Sequence, residues 1–359
     1  MLHPSDVAGA ENDTFRFYNV LPSDDYELAA DWPRADLCTV GRAAARSASV
    51  ESLDALALAL LALRDERLPG DLDWAALADA CAEGYSRQLR PDGSRPLRMG
   101  FARANFMLRD VLDRGLGNDG DILDERRFEQ GFVWDWLPLA EGEVIADSRH
   151  ENIHHLGCRR PRPSVRLGLP TQIDPLSDGR VAVGSCYSDG WHAWDTDGTP
   201  ESFARARPVV LAFDHDGEIL ELDVDGVIRR GGDGQVLVRL PIQAVWCARR
   251  VGDMVFASDW GDAGTLALCD LRKMICHRIS SRPVLLTNDI CWHHDQYYVL
   301  DKMQGRVFAF DENFSFRQSR MRFGKSAGRL YDPISIRPHL DNLHVLSWIT
   351  GSLVTIRPF

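Results

Sequence analysis

Residues 286 to 311 read "LTNDICWHHDQYYVLDKMQGRVFAFD". Two runs rich in β-branched and aromatic residues flank the polar "HHDQ", and a third run, "RVFAFD", follows the Lys-Met-Gln-Gly stretch. That spacing predicts a strand, a tight turn, a second strand, a loop and a third strand. The same grammar recurs outward in both directions. It is found in "LPTQIDPLSDGRVAVGSCYSDGWHAWD" (169–195), "RPVVLAFDHDGEILELDVDGVIRR" (207–230), "IQAVWCARRVGDMVFASDWGDAGTLALCD" (242–270) and "LYDPISIRPHLDNLHVLSWITGSLVTI" (330–356). A weaker copy is "FVWDWLPLAEGEVIADSRHENIHHLG" (132–157). The turn positions Gly142, Gly179, Gly217, Gly252, Gln296 and Leu340 are spaced 35 to 44 residues apart, the period of a propeller blade.

The expected fold class is mainly β, a six-bladed β-propeller preceded by a small α-helical domain. Fourth, outer strands are expected from "QVLVRL" (235–240) and "MICHRIS" (274–280). The last copy runs out at Phe359, so its outer strand is expected from just before residue 132, closing the ring with chain from the other end. Between residues 51 and 115 the apolar spacing is helical instead, as in "DLDWAALADACAEGYSRQL". The expected boundaries are therefore 1–118 for the helical domain and 119–359 for the propeller.

Composition narrows the function classes. With 41 basic against 53 acidic residues the chain carries a net charge of −12, which argues against nucleic acid or an anionic membrane surface as the main partner. No run approaches the roughly 18 apolar residues of a membrane-spanning helix, and the first residues have no leader-like pattern, so a cytoplasmic protein is expected. The eight cysteines are scattered singly without a C-x-x-C pair, and are expected as thiols packed in the core.

These repeats resemble the six-bladed propellers that include NHL-repeat proteins and the gluconolactonase, or senescence-marker-protein, family. The likeness is sharpest in "TNDICWHHDQYYVLDKMQGRVFAFD", where the family's metal-binding Asn falls on Asn288, and in "YDPISI", where its metal-binding Asp falls on Asp332. The resemblance implies a metal-assisted hydrolase or lactonase acting on a small polar substrate. The sequence departs from the family at Thr171 and Gln172, where a metal-binding Glu belongs, and at Ala244 and Val245, where a substrate-binding Asn belongs.

Propeller geometry suggests the site independently. Loops entering the innermost strands and loops joining second to third strands open on one face around the channel. This expectation places Asp135, Gln172, Trp191, Trp260, Tyr331 and Trp348 at the mouth as substrate-binding residues. Asp289, Asp301 and Lys302 are the expected catalytic groups, with a free carboxylate as base. Asn288 and Asp332 suit Ca²⁺ or Mg²⁺, and His150 and His154 would shift the preference toward Zn²⁺. The alternative is a non-catalytic propeller binding a peptide or protein on the same face.

A further alternative is a zinc peptidase, since His150-Glu151-Asn152-Ile153-His154 spells H-E-x-x-H. That motif needs a helix to set both imidazoles on one face. The flanking "EGEVIADS" reads as a strand, so the stretch is expected on the loop and third strand of the first repeat.

Overall fold

The computed structural model describes residues 122–359, except 130–131, 158–163, 196–197, 243, 260–264, 285, 303, 322–329, 331 and 349. The expected helical domain, Trp260 and Tyr331 lie outside the described residues. All regular secondary structure among the described residues is β-strand.

The chain enters through β1 (Ile122–Arg127) and then builds an antiparallel sheet from β2 (Val133–Pro138), β3 (Glu143–Asp147), β4 (Asn152–Leu156) and β5 (Val165–Arg166). A larger sheet follows, made of β6 (Gln172–Pro175), β7 (Val181–Gly184), β8 (Asp189–Trp194), β9 (Glu201–His215), β10 (Glu218–Asp223), β11 (Val227–Arg230) and β12 (Val236–Arg239). The third sheet comprises β13 (Val245–Val251), β14 (Met254–Asp259), β15 (Thr265–Asp270) and β16 (Ile275–Ser280). The fourth comprises β17 (Thr287–His293), β18 (Gln296–Asp301), β19 (Arg306–Phe310) and β20 (Phe316–Arg320). The last contains β21 (Pro333–His339), β22 (Asn342–Ser347) and β23 (Ser352–Ile356), and β1 completes it by pairing antiparallel with β23. The outer strand of the C-terminal sheet thus comes from the chain just before residue 132, as the repeat phase predicts.

The first strands form a ring. β2 packs on β6, β6 on β9, β9 on β13, β13 on β17, β17 on β21, and β21 returns to β2. This is a mainly β, propeller-like fold. Apolar clusters fill the spaces between neighbouring sheets, and the middle strands feed two clusters at once. On β18, Tyr298 and Leu300 pack toward β22, whereas Val299 packs toward Phe256 of β14. Burial on both faces explains why these strands read as unbroken apolar runs rather than alternating ones.

The tight turns also answer to the sequence. Gly142, Gly179, Gly217 and Gly252 all have positive φ. Leu340 takes the same left-handed conformation, φ 53°, at 80% exposure, and His294 and Asp295 adopt φ 45° and 59° in the turn before Gln296. A two-residue hairpin turn of this kind needs positive φ whatever residue stands there.

Candidate functional site

Four of the first strands, β2, β13, β17 and β21, share one irregularity that builds the channel. Pairing slips by one residue between Val133 and Asp135, Val245 and Cys247, Thr287 and Asp289, and Pro333 and Ser335. The bulged residues are Trp134, Trp246, Asn288 and Ile334, and they line a central cavity together with the residues that follow them. Its empty volume is about 330 Å³, including the part open to solvent. A bulge re-aims side chains, which is how one apolar strand can point both a bulged residue and its successor at the axis.

Asp135 and Asp289 perform the same task at two junctions. Asp289 accepts the N–H of its own neighbour Ile290 at 2.8 Å and that of Ile336, on the next first strand, at 2.9 Å. Asp135 accepts the N–H of Trp136 at 2.8 Å and that of Ile173 on β6 at 2.9 Å. Each carboxylate satisfies main-chain donors on two adjacent sheets, where no ladder partner exists to do so.

Two guanidiniums lock these carboxylates across the channel. Arg249 donates to both oxygens of Asp289 at 2.9 and 2.8 Å and to Asp174 at 3.0 Å, and lies 3.5 Å from Asp135. Arg337 donates to Asp135 Oδ2 at 2.7 Å and to the Ile173 carbonyl, and comes within 3.8 Å of Asp174. All five side chains are buried. Burial alone would raise the Asp135 pKa, but the charges of Arg337 and Arg249, with hydrogen bonds from Arg337 and Ser335, outweigh it and hold it down to about 2. For Asp174 burial wins over the same two arginines, helped by the nearby Asp135, and its pKa is raised. Asp174 is therefore the odd carboxylate in a group of three aspartates and two arginines. Gln172 donates to it at 3.0 Å.

Trp134 and Trp246 of the cavity lining belong to an aromatic cluster. Trp134 lies 6.1 Å from Tyr187, 6.0 Å from Trp246 and 5.0 Å from Trp348, ring centre to ring centre. Lys302 places its ammonium 5.7 Å from the Trp246 ring centre and 5.2 Å from that of Trp348, with Asp332 Oδ1 at 3.5 Å. Asp332 is itself almost fully buried and has φ 53°, a conformation rare outside glycine.

Several expected site residues have other duties. Asn288 lines the cavity, but its Oδ1 accepts from Trp246 Nε1 at 2.5 Å and its Nδ2 donates to the carbonyls of Pro333 and Ile334, each at 3.1 Å. Asp301 closes its own loop, accepting the Gln304 N–H at 2.9 Å and Gln304 Nε2 at 2.9 Å. Asp147 and Asp223, at the ends of their second strands, accept loop N–H groups in the same way. Asp301 is thus one instance of a repeated turn-closing carboxylate rather than an isolated base. Trp191 is 2% exposed, stacks on Phe203 at 4.4 Å and donates to Glu221 at 2.7 Å. It is core of the larger sheet, packed with Leu176, Ala182, Val209 and Ala212, and not mouth.

His154 lies on β4, an extended strand, so the helix that a zincin requires is replaced by a β-hairpin. The two histidines nevertheless converge: His150 Nδ1 and His154 Nε2 lie 2.7 and 3.1 Å from the same oxygen of Asp147. Burial would push the Asp147 pKa up, but these hydrogen bonds outweigh it and hold it down. Among the described residues no group of three or more His, Cys, Asp or Glu side chains is arranged to hold a metal ion.

Sequence reasoning missed Trp246, Arg249, Arg337 and Asp174. The available signal was an arginine three residues after the bulged position in otherwise apolar first strands, in "WCARR" and "ISIRP". A charge there has no solvent to face and must find a partner across the axis.

No protein-family model matches the chain, and no curated protein matches it. Solved structures do. Virginiamycin B lyase from Staphylococcus aureus is 10% identical over 66% of this chain and 99% of its own, with a TM-score of 0.48. The PQQ-bound aldose sugar dehydrogenase from Streptomyces coelicolor is 12% identical over 66% of this chain and 97% of its own, with a TM-score of 0.45. The Pan2 WD40 domain from Neurospora crassa is 11% identical over 63% of this chain and 75% of its own, with a TM-score of 0.44.

Proposed function

We propose that this protein is a six-bladed propeller that recognises a peptide or protein ligand on the aromatic mouth of its channel, without catalysis. The blade count is supported by β9, whose first half pairs with β8 and whose second half pairs with β10, so that the larger sheet divides into two four-stranded units. Recognition is supported above all by the gathering of aromatic rings, with Trp134 close to Tyr187, Trp246 and Trp348 and the Lys302 ammonium over two of these rings. The carboxylates that hydrolysis would use, Asp289 and Asp301, serve Arg249 and Gln304 within the fold. Amphipathic rings around a buried charge are the usual makings of an interaction hot spot.

The metal-assisted hydrolase or lactonase is less well supported. The Asn288 Oδ1 that would serve a Ca²⁺, Mg²⁺ or Zn²⁺ ion already accepts from Trp246, and Asp332 already faces the Lys302 ammonium. The test is a display library of random peptides panned on the whole protein. Enriched peptides should bind the purified chain at least tenfold more weakly after Trp348→Ala. If no peptide depends on Trp348, and the protein instead opens lactones in a way that metal chelation abolishes, the recognition reading fails.

A further inference from the structure

Cys269 and Cys276 stand opposite one another on β15 and β16, in direct antiparallel register. Residues so paired have α-carbons about 4.5 to 5.5 Å apart, inside the range of roughly 4.4 to 6.8 Å that a disulfide spans. Both are free thiols. Cys269 is fully buried, whereas Cys276 sits on the outer strand of its sheet and is partly exposed. The environment divides their roles. Cys269 holds its thiol proton against the Cys276 sulfur, which lowers the Cys276 pKa and raises that of Cys269. Two other described thiols are placed differently: burial and the charge of Asp289 push the pKa values of Cys247 and Cys291 up. A thiolate reacts and a thiol does not, so reactivity in this sheet concentrates at Cys276.

We propose that Cys269 and Cys276 form a thiol-oxidation site, in which Cys276 reacts with small-molecule disulfides and Cys269 resolves the product into a cross-strand disulfide. The Cys276 thiolate attacks one sulfur of the small disulfide, forming a mixed disulfide and releasing one thiolate. That thiolate takes up a proton. Cys269 then loses its proton to solvent and attacks Cys276 Sγ, closing the Cys269–Cys276 bond and expelling the second small thiol. Two protein thiols are oxidised by two electrons, and one small disulfide is reduced to two thiols. The product staples the outer strand β16 to β15 across the hairpin turn.

Arg272 and Lys273 lie between the two cysteines, so trypsin separates them into different peptides, residues 251–272 and 274–278, each with a single cysteine. The whole native protein is incubated with glutathione disulfide, quenched by alkylation, digested and analysed by mass spectrometry. The expected result is a disulfide-linked pair of those peptides in the wild type, none in Cys276→Ser, and a lasting glutathione adduct on Cys276 in Cys269→Ser. The proposal is overturned if the wild type yields both peptides alkylated, or if glutathione stays on Cys276 without a link. Both of those outcomes are read on the unaltered chain, so neither depends on a variant folding.

Discussion

Arg249→Met removes the guanidinium that joins β13 to β17 and β6 while keeping much of the side chain's bulk. Asp289 then loses both of its arginine hydrogen bonds and retains only two main-chain donors, and Asp174 keeps Gln172 and a more distant Arg337. Three buried carboxylates would face one cation. Breaking a buried ion pair by deleting one partner costs about 3–5 kcal/mol. In a β-domain of this size that corresponds to a fall in Tm of about 10 °C. The pH dependence is a sharper test. Burial already holds the native-state pKa of Asp174 above its unfolded value, and losing the Arg249 charge raises it further, so the native state binds more protons than the unfolded state. The variant's stability is then lost as pH rises through that raised value, and its deficit against wild type is larger at pH 7.5 than at pH 5. Thermal unfolding of both proteins, followed by the near-ultraviolet circular dichroism of the tryptophans at the two pH values, reads both effects. A Tm loss under about 3 °C at pH 7.5, or a deficit that does not narrow at pH 5, would refute the network's role.

Other outcomes follow from the same geometry. Asp135, depressed from 3.8 to about 2, contributes about 2 kcal/mol that is present above pH 3.8 and lost as pH falls through 2. Asp135→Asn should therefore be markedly less stable than wild type at pH 7, with the gap narrowing toward pH 2 in urea titrations. Asp174→Asn should cost far less than Asp289→Asn at pH 7, because Asp174 already pays for its burial; equal losses in the two variants would contradict that ranking. Leu340→Gly should raise stability by about 0.5–1 kcal/mol, since an exposed leucine held at positive φ gives way to a residue without that strain; a fall in the urea midpoint would count against it. Gly190→Ala should destabilise by more than about 2 kcal/mol, because its new methyl carbon would lie 2.1 Å from the Phe203 carbonyl oxygen, and an unchanged midpoint would show that β9 can yield there.

Much of the architecture was legible in the chain itself. Turn residues at a regular interval, apolar runs of strand length and a last repeat one strand short were enough to predict repeated antiparallel sheets and closure through residues before 132, as β1 paired with β23 shows. The likeness of Asn288, Asp289 and Asp301 to site residues was legible too, but their chemistry was not. A polar residue at a strand entry reads the same whether it faces a ligand or a neighbouring backbone. The pairing of Asp135 with Arg337, Asp289 with Arg249, and Trp134 with Trp246 joins residues dozens to hundreds of positions apart. Local pattern determined the strands, because strand and turn preferences act over a few residues. Only the closed ring decided which carboxylates were already spoken for, because a buried charge is settled by whatever the fold brings within hydrogen-bonding distance.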